Sequence, residues 1–188
     1  MDYILIPDST NYLTISSYKN RIEHFNYYLE DSLLVIEDQS KCDFLRDFDK
    51  KTQIEVHYKN ISVLNIKGDG TVTTSSPITN DIIHIYAHTA NGELDINVDA
   101  NSFLVKLING TLTGKIGGKV ESAHLFHFGY SKINFEGLDV DHLRVSNKSD
   151  SDVFVKSKFT LAVELLSLGD IYYKGNPTTE VIKNTMGS

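Results

Sequence analysis

Two carboxylates spaced about one repeat apart, Asp152 and Asp170, are the residues best placed to do chemistry in this chain. Each stands two positions before an aromatic residue, Phe154 and Tyr172. If the two segments lie side by side, the carboxylates stack, and repulsion raises one pKa into the range of a general acid. The rings would stack as well, offering a flat apolar surface to a sugar or a subunit. The plainer readings are a solvated acidic ladder and a ring pair packed under the tail at Val181-Ile182. Asp95, Asn97 and Asp99 line one edge of a strand, but Asp95 and Asp99 would stand ~13 Å apart. That is too far for a pair of carboxylates acting on one glycosidic bond. His84 and His88 face the same problem, and the next repeat places Leu104 and Lys106 beside them, not ligands. His124 and His127 fall on opposite faces of one strand. Neither pair suits a shared metal, so we expect no metal, no cofactor and no catalytic residue. Cys42 is the only cysteine. It excludes an intrachain disulfide and reads as a structural thiol. Asn60, Asn109 and Asn147 begin Asn-x-Ser/Thr sequences, but each lies where turn chemistry already favours asparagine.

The elements that must position these residues repeat. After each of six polar turns the first apolar residue is Val72, Leu94, Leu112, Ile133, Val153 and Ile171. Before the turns stands a second column: Val63, Ile83, Phe103, Leu125, Leu143 and Val163. Both columns keep a period of roughly twenty residues, the signature of a stacked solenoid. Within one unit, Ile83, Ile85 and Ala87 alternate with His84, Tyr86 and His88. Past Asn91-Gly92, Leu94, Ile96 and Val98 alternate with Asp95, Asn97 and Asp99. Alternation by two buries one face and wets the other. One such unit buries too little to offset its own ordering entropy, so it needs neighbours above and below. Equivalent strands recurring at constant phase require parallel stacking. A β-sandwich or meander, which Asn-Gly turns also favour, is the competing architecture. The expected fold is therefore all-β: a single-stranded, right-handed parallel β-helix (β-solenoid) with about 20 residues per coil. A third short strand per coil is expected at Ile78, Val98, Ile116, Leu138 and Phe159. Residues 1–188 form a single domain, with 1–60 as irregular capping coils and 61–188 as regular coils. Strands are expected around Tyr12–Ile15, Ile22–Leu29, Ser32–Ile36 and Gln53–Tyr58, and a loop from Glu37 to Lys51 with a helical turn near Cys42.

Bulk properties narrow the function. The net charge is −7 over 188 residues. No Lys/Arg cluster supplies the basic face that phosphate binding needs, so nucleic acid is not expected as a partner. The acidic surface also disfavours anionic membranes. No apolar stretch is long enough to span a bilayer. The start, Met1 to Pro7, lacks the basic region of a signal peptide. Either the protein stays in the cytoplasm or this chain begins after a removed leader.

Several segments together resemble a known family. They are Asp31-Ser32-Leu33-Leu34-Val35-Ile36, Ile54-Glu55-Val56, and Ile61-Ser62-Val63-Leu64-Asn65-Ile66-Lys67-Gly68-Asp69-Gly70. Further on come Asn91-Gly92-Glu93-Leu94-Asp95-Ile96 and Leu168-Gly169-Asp170-Ile171-Tyr172-Tyr173-Lys174-Gly175-Asn176-Pro177. They are similar to the auto-transporter adhesin "head GIN" domain, a domain of unknown function common in Bacteroidetes. The turns at Tyr130-Ser131 and Ser149-Asp150 lack that family's glycine. The resemblance implies a parallel β-helix exported to the periplasm or cell surface. The family has no established catalytic residues to carry over. The expected function is a non-enzymatic, adhesion-like binding module, with a glycan, a surface protein or a second copy of the chain as partner. Phe154, Tyr172, Asp152 and Asp170 are its candidate binding residues. The alternative is a carbohydrate-active β-helix enzyme, a polysaccharide lyase or hydrolase, for which a carboxylate beside Arg144 would be the pointer.

Overall fold

The computed structural model describes residues 1–17, 22–30, 33–38 and 52–184. Cys42 and the expected helical turn around it lie outside the described residues. Fourteen strands are formed among them. The first five are β1 (Asp2–Pro7), β2 (Tyr12–Ser16), β3 (Phe25–Glu30), β4 (Leu33–Asp38) and β5 (Gln53–Tyr58). Three long ones follow: β6 (Val63–Thr74), β7 (Ile78–Ile108) and β8 (Thr111–Phe128). The last six are β9 (Lys132–Phe135), β10 (Leu138–Asn147), β11 (Val153–Lys156), β12 (Thr160–Leu165), β13 (Ile171–Lys174) and β14 (Thr178–Asn184).

From β6 onward every pairing is parallel. The result is a parallel β-solenoid of about 6 turns with roughly 20 residues per coil. A sandwich would pair successive segments in opposite directions, so that alternative is gone. β7 and β8 are long because rung-to-rung hydrogen bonds persist around the corners, so each contributes to two faces. One face is built from the second half of β6, the middle of β7, the start of β8, then β9, β11 and β13. The other is built from the first half of β6, two passes of β7, the end of β8, then β10, β12 and β14. The corner residues Thr89 and Asn109 lie one coil apart and both have positive φ (50° and 52°). Asn91-Gly92, expected as a turn, instead runs through β7 and pairs with Thr111 and Leu112.

The core is one continuous column of side chains, including Ile83, Ile85, Leu94, Ile96, Phe103, Val105, Leu112, Leu138 and Leu161, all essentially inaccessible. The two expected columns hold with four shifts, one of them Val163, which stands beside Val145 while Leu161 stands beside Leu143. Val63 faces out, 42% exposed, and Leu64 stands beside Ile85. Leu125 lies between Val105 and Val145, while Ala123 lies between Phe103 and Leu143. The expected column thus merges two neighbouring inward columns. A slip of two residues keeps a side chain inside and changes its partner; a slip of one turns it out. Gly114, not Leu112, stands between Leu94 and Ile133.

The start of the chain departs from simple coiling. β1 lies between β5 and β6, parallel to both. β2 runs antiparallel to β5 and ends the sheet, and β3 and β4 form a separate antiparallel hairpin. The terminal strand is pinned by side chains. Tyr12 stacks on His57 with centroids 3.9 Å apart. Asp8 Oδ2 lies 3.1 Å from His57 Nδ1, a contact that holds the Asp8 carboxyl below its usual range.

Candidate functional site

The strand β11 buries Val153 and Val155 and turns Phe154 and Lys156 outward. Parallel, in-register pairing then sets Phe154 beside Tyr172 and Lys156 beside Lys174. Adjacent strands are ~4.8 Å apart. The Phe154 and Tyr172 ring centroids are 5.0 Å apart and 11° from coplanar, so the ladder itself imposes the stack. Both rings remain open to solvent, at 39% and 50% exposure. The tail does not cover them: β14 pairs with β12 on the other face, with Val181 beside Val163.

The flanking charges are arranged around this pair. Asp170 backbone N–H donates to Asp152 Oδ1 at 2.9 Å. The carboxylates are therefore consecutive rungs of a ladder that also ties the turn. The same device recurs one coil at a time, with Asn91 Nδ2 donating to Asp69 (2.8 Å) and Asn101 Nδ2 to Asp81 (3.1 Å). The stacked lysines avoid mutual repulsion by pairing outward, Lys156 with Asp139 and Lys174 with Glu136 (3.0 Å). Asn134, the neighbour of Phe154 on the preceding rung, accepts the Glu136 backbone N–H at 2.7 Å. The site is a shallow aromatic platform edged by carboxylate and amide groups.

Two arrangements invite a catalytic reading. The first is an open groove of about 770 Å³ lined by Asp139, Asp141, His142, Lys156 and Lys158. Two of its four acids are paired with its lysines, Asp139 with Lys156 and Asp141 with Lys158 (3.6 Å), and Asp99 and Glu121 line it as well. The second surrounds Arg144, which the sequence singled out and which does stand beside a carboxylate, Glu164; the Ser146 and His124 members of the group were missed from sequence. Ser146 Oγ donates to Glu164 Oε2 at 2.9 Å. His124 Nε2 lies 3.1 Å from the same hydroxyl. Serine has a single proton to give, so His124 must carry hydrogen on Nε2 and donate it. An imidazole donating to the hydroxyl does not act as its base, so His124 and Ser146 do not form a base–nucleophile pair. Arg144 closes the group, 3.7 Å from Glu164. Among the described residues no cluster of three or more His, Cys, Asp or Glu side chains is placed to hold a metal ion.

The sequence-predicted histidines fall as expected for their faces. His84 and Tyr86 share the outer edge, 3.4 Å apart at Nδ1 and the phenol. His127 is inward and 5% exposed. Burial lowers its pKa below 6.5, against weaker opposing contacts from Asn147 and the Ser131 backbone. His124 is lowered too, first by burial and then by Arg144 and Lys106. The unfolded histidines bind protons near pH 6.5 while the folded ones resist, so stability is full above that pH and falls below it. We expect the urea midpoint to drop as pH goes from about 7.5 to about 5. His127→Asn should flatten that slope; a midpoint unchanged over the interval would refute the assignment. Asn147 is wholly buried, with Nδ2 donating to Ser151 and Gly169 carbonyls (both 3.1 Å), so its Asn-x-Ser sequence is closed to modification in the folded chain.

The family model described as "putative auto-transporter adhesin, head GIN domain" matches residues 1–177. The chain belongs to this family. No curated protein matches it. Several solved structures share the head GIN architecture. A putative adhesin from Bacteroides fragilis NCTC 9343 superposes with a TM-score of 0.84 at 23% identity, over 97% of this chain and 83% of that one. A putative lipid binding protein from Parabacteroides distasonis gives 0.58 at 18%, over 97% and 84%. A putative adhesin from Parabacteroides merdae gives 0.56 at 20%, over 97% and 83%. At these identities the likeness is one of fold. No described helix of this head GIN domain is long and apolar enough to cross a membrane.

Proposed function

We propose that this chain is a non-enzymatic, exported binding module that holds sugar rings on the Phe154–Tyr172 platform. The observation that carries the reading is a solvent-exposed, coplanar ring pair held rigidly by two in-register strands. Rigid aromatics bind at low entropic cost. Asp152, Asp170 and Asn134 stand on the same face and supply acceptors for hydroxyl groups. The adhesin names borne by the family and by two structural neighbours support binding over turnover. The auto-transporter adhesin description of the family supports export to the periplasm or cell surface. We further assign residues 1–60 as the cap of a single functional unit whose regular coils span 61–188; the antiparallel β2 that ends the sheet supports this.

A glycan array followed by titration calorimetry tests the reading. The wild-type chain should bind at least one oligosaccharide and release no reducing sugar. Phe154→Ala/Tyr172→Ala should weaken that binding about tenfold or more without loss of fold. Retained affinity in the double variant would remove the platform from the site. Light scattering covers the other use of exposed rings: association abolished by the same variant would make them a subunit interface.

A further inference from the structure

The charge of this acidic protein is segregated by face. On the face opposite the platform, segments 63–67, 84–88, 104–108, 124–128 and 142–148 stack in register. Together they carry Lys67, Lys106, Arg144 and Lys148 and no carboxylate; the last rungs of the face, β12 and β14, add Glu164, which pairs with Arg144, and Glu180, so among the described residues the unpaired cations of this face are its lysines. The lysines are also used differently on the two sides. Near the platform, Lys115, Lys156 and Lys174 each pair with a carboxylate. On this face Lys106 lies over the Tyr86 ring (5.7 Å) and Lys148 over the Phe128 ring (5.2 Å), with no carboxylate partner among the described residues. Between the cations the outward positions are apolar: Val63 is 42% exposed, Phe128 37%, and Leu104 and Phe126 are partly exposed.

We infer that this face is a docking surface for an anionic lipid bilayer. Unneutralised cations around outward aliphatic and aromatic groups match phosphate headgroups over an apolar boundary. Charge complementarity selects the partner. The net charge of −7 describes the whole surface, whereas attraction within a Debye length is decided by the face presented. An acidic polysaccharide fits less well. Sugar hydroxyls call for carboxylates and amides, which this face offers sparsely, at Asn65, the Arg144-paired Glu164 and Glu180 on the last rung. Outward valine and leucine give nothing to sugar stacking. The inference stands apart from the platform reading, because it uses other residues on another face.

Flotation of the 188-residue chain with vesicles tests it, using phosphatidylcholine alone or mixed equally with phosphatidylglycerol. The chain should float with the mixed vesicles only, and added salt should release it. Lys106→Gln/Lys148→Gln should weaken binding about thirty-fold; Lys67→Gln/Lys148→Gln should do so comparably. Lys115→Gln/Lys119→Gln and Phe154→Ala/Tyr172→Ala should leave it unchanged. Circular dichroism confirms that each variant folds. Equal partition into both vesicle types, no flotation at low salt, or full binding by both face variants would overturn the inference. So would preferential retention by an acidic polysaccharide.

Discussion

Replacing Gly118 with alanine should destabilise the fold by about 3 kcal/mol or more. Gly118 lies in β8 between Val98 and Leu138 on adjacent rungs, at φ +116°. L-residues rarely adopt that backbone, so strain alone costs about 1–3 kcal/mol. The larger problem is space. A Cβ at this position would sit 1.9 Å from the Val98 carbonyl oxygen and 2.8 Å from its nitrogen. Those are backbone atoms of a hydrogen-bonded ladder, and moving them loosens the rungs on either side. Urea unfolding of Gly118→Ala beside the wild type reads the cost directly. A loss below about 1 kcal/mol would mean that the rung spacing at this corner is not as described.

The second large effect is expected at Phe103→Ala, a loss of about 3–5 kcal/mol. Phe103 is 1% exposed and among the largest fully buried side chains. Its neighbour on the next rung is Ala123, which cannot swell to fill the space. The surrounding backbone is fixed by parallel hydrogen bonds above and below, so the cavity stays open and the upper part of the range applies. Val63→Ala is the internal contrast. Sequence periodicity puts both residues in one column, but Val63 faces solvent and should cost less than about 1 kcal/mol. Equal losses at the two positions would show that the register between β6 and β7 is wrong.

That contrast shows which parts of the architecture sequence can carry. A twenty-residue period and strict alternation around Ile83 and Leu94 favoured parallel coils, because equivalent strands recurred at constant phase; alternation alone would also suit a sandwich. They could not specify register to better than two residues. Leu125 and Ala123 are both small enough and apolar enough to follow Phe103, and only the ladder chooses between them. The Phe154–Tyr172 stack was legible because each ring follows an inward residue at the same phase of its coil. The lysine-rich face was not. Its sign emerges only when outward positions are compared across rungs, and bulk composition averages it away. The His124–Ser146–Glu164 chain was hidden for a related reason. Ser146 and Glu164 share a column, but His124 reaches Ser146 diagonally across rungs, so alignment by column leaves it out. β1 lay beyond periodicity altogether, since nothing in Asp2–Pro7 indicates that it sits between strands fifty and seventy residues later.

That placement of β1 has a consequence for how the chain comes together. Both partners of β1, residues 53–58 and 71–74, are made after it. During synthesis β1 has no strand to pair with until the fifties have emerged, and its second partner comes only with the seventies. Its seat closes over a loop that spans β2, β3 and β4, a slow contact by the usual dependence on separation along the chain. β1 is thus made before both strands that seat it, and a chain cut short before residue 53 would leave it unpaired.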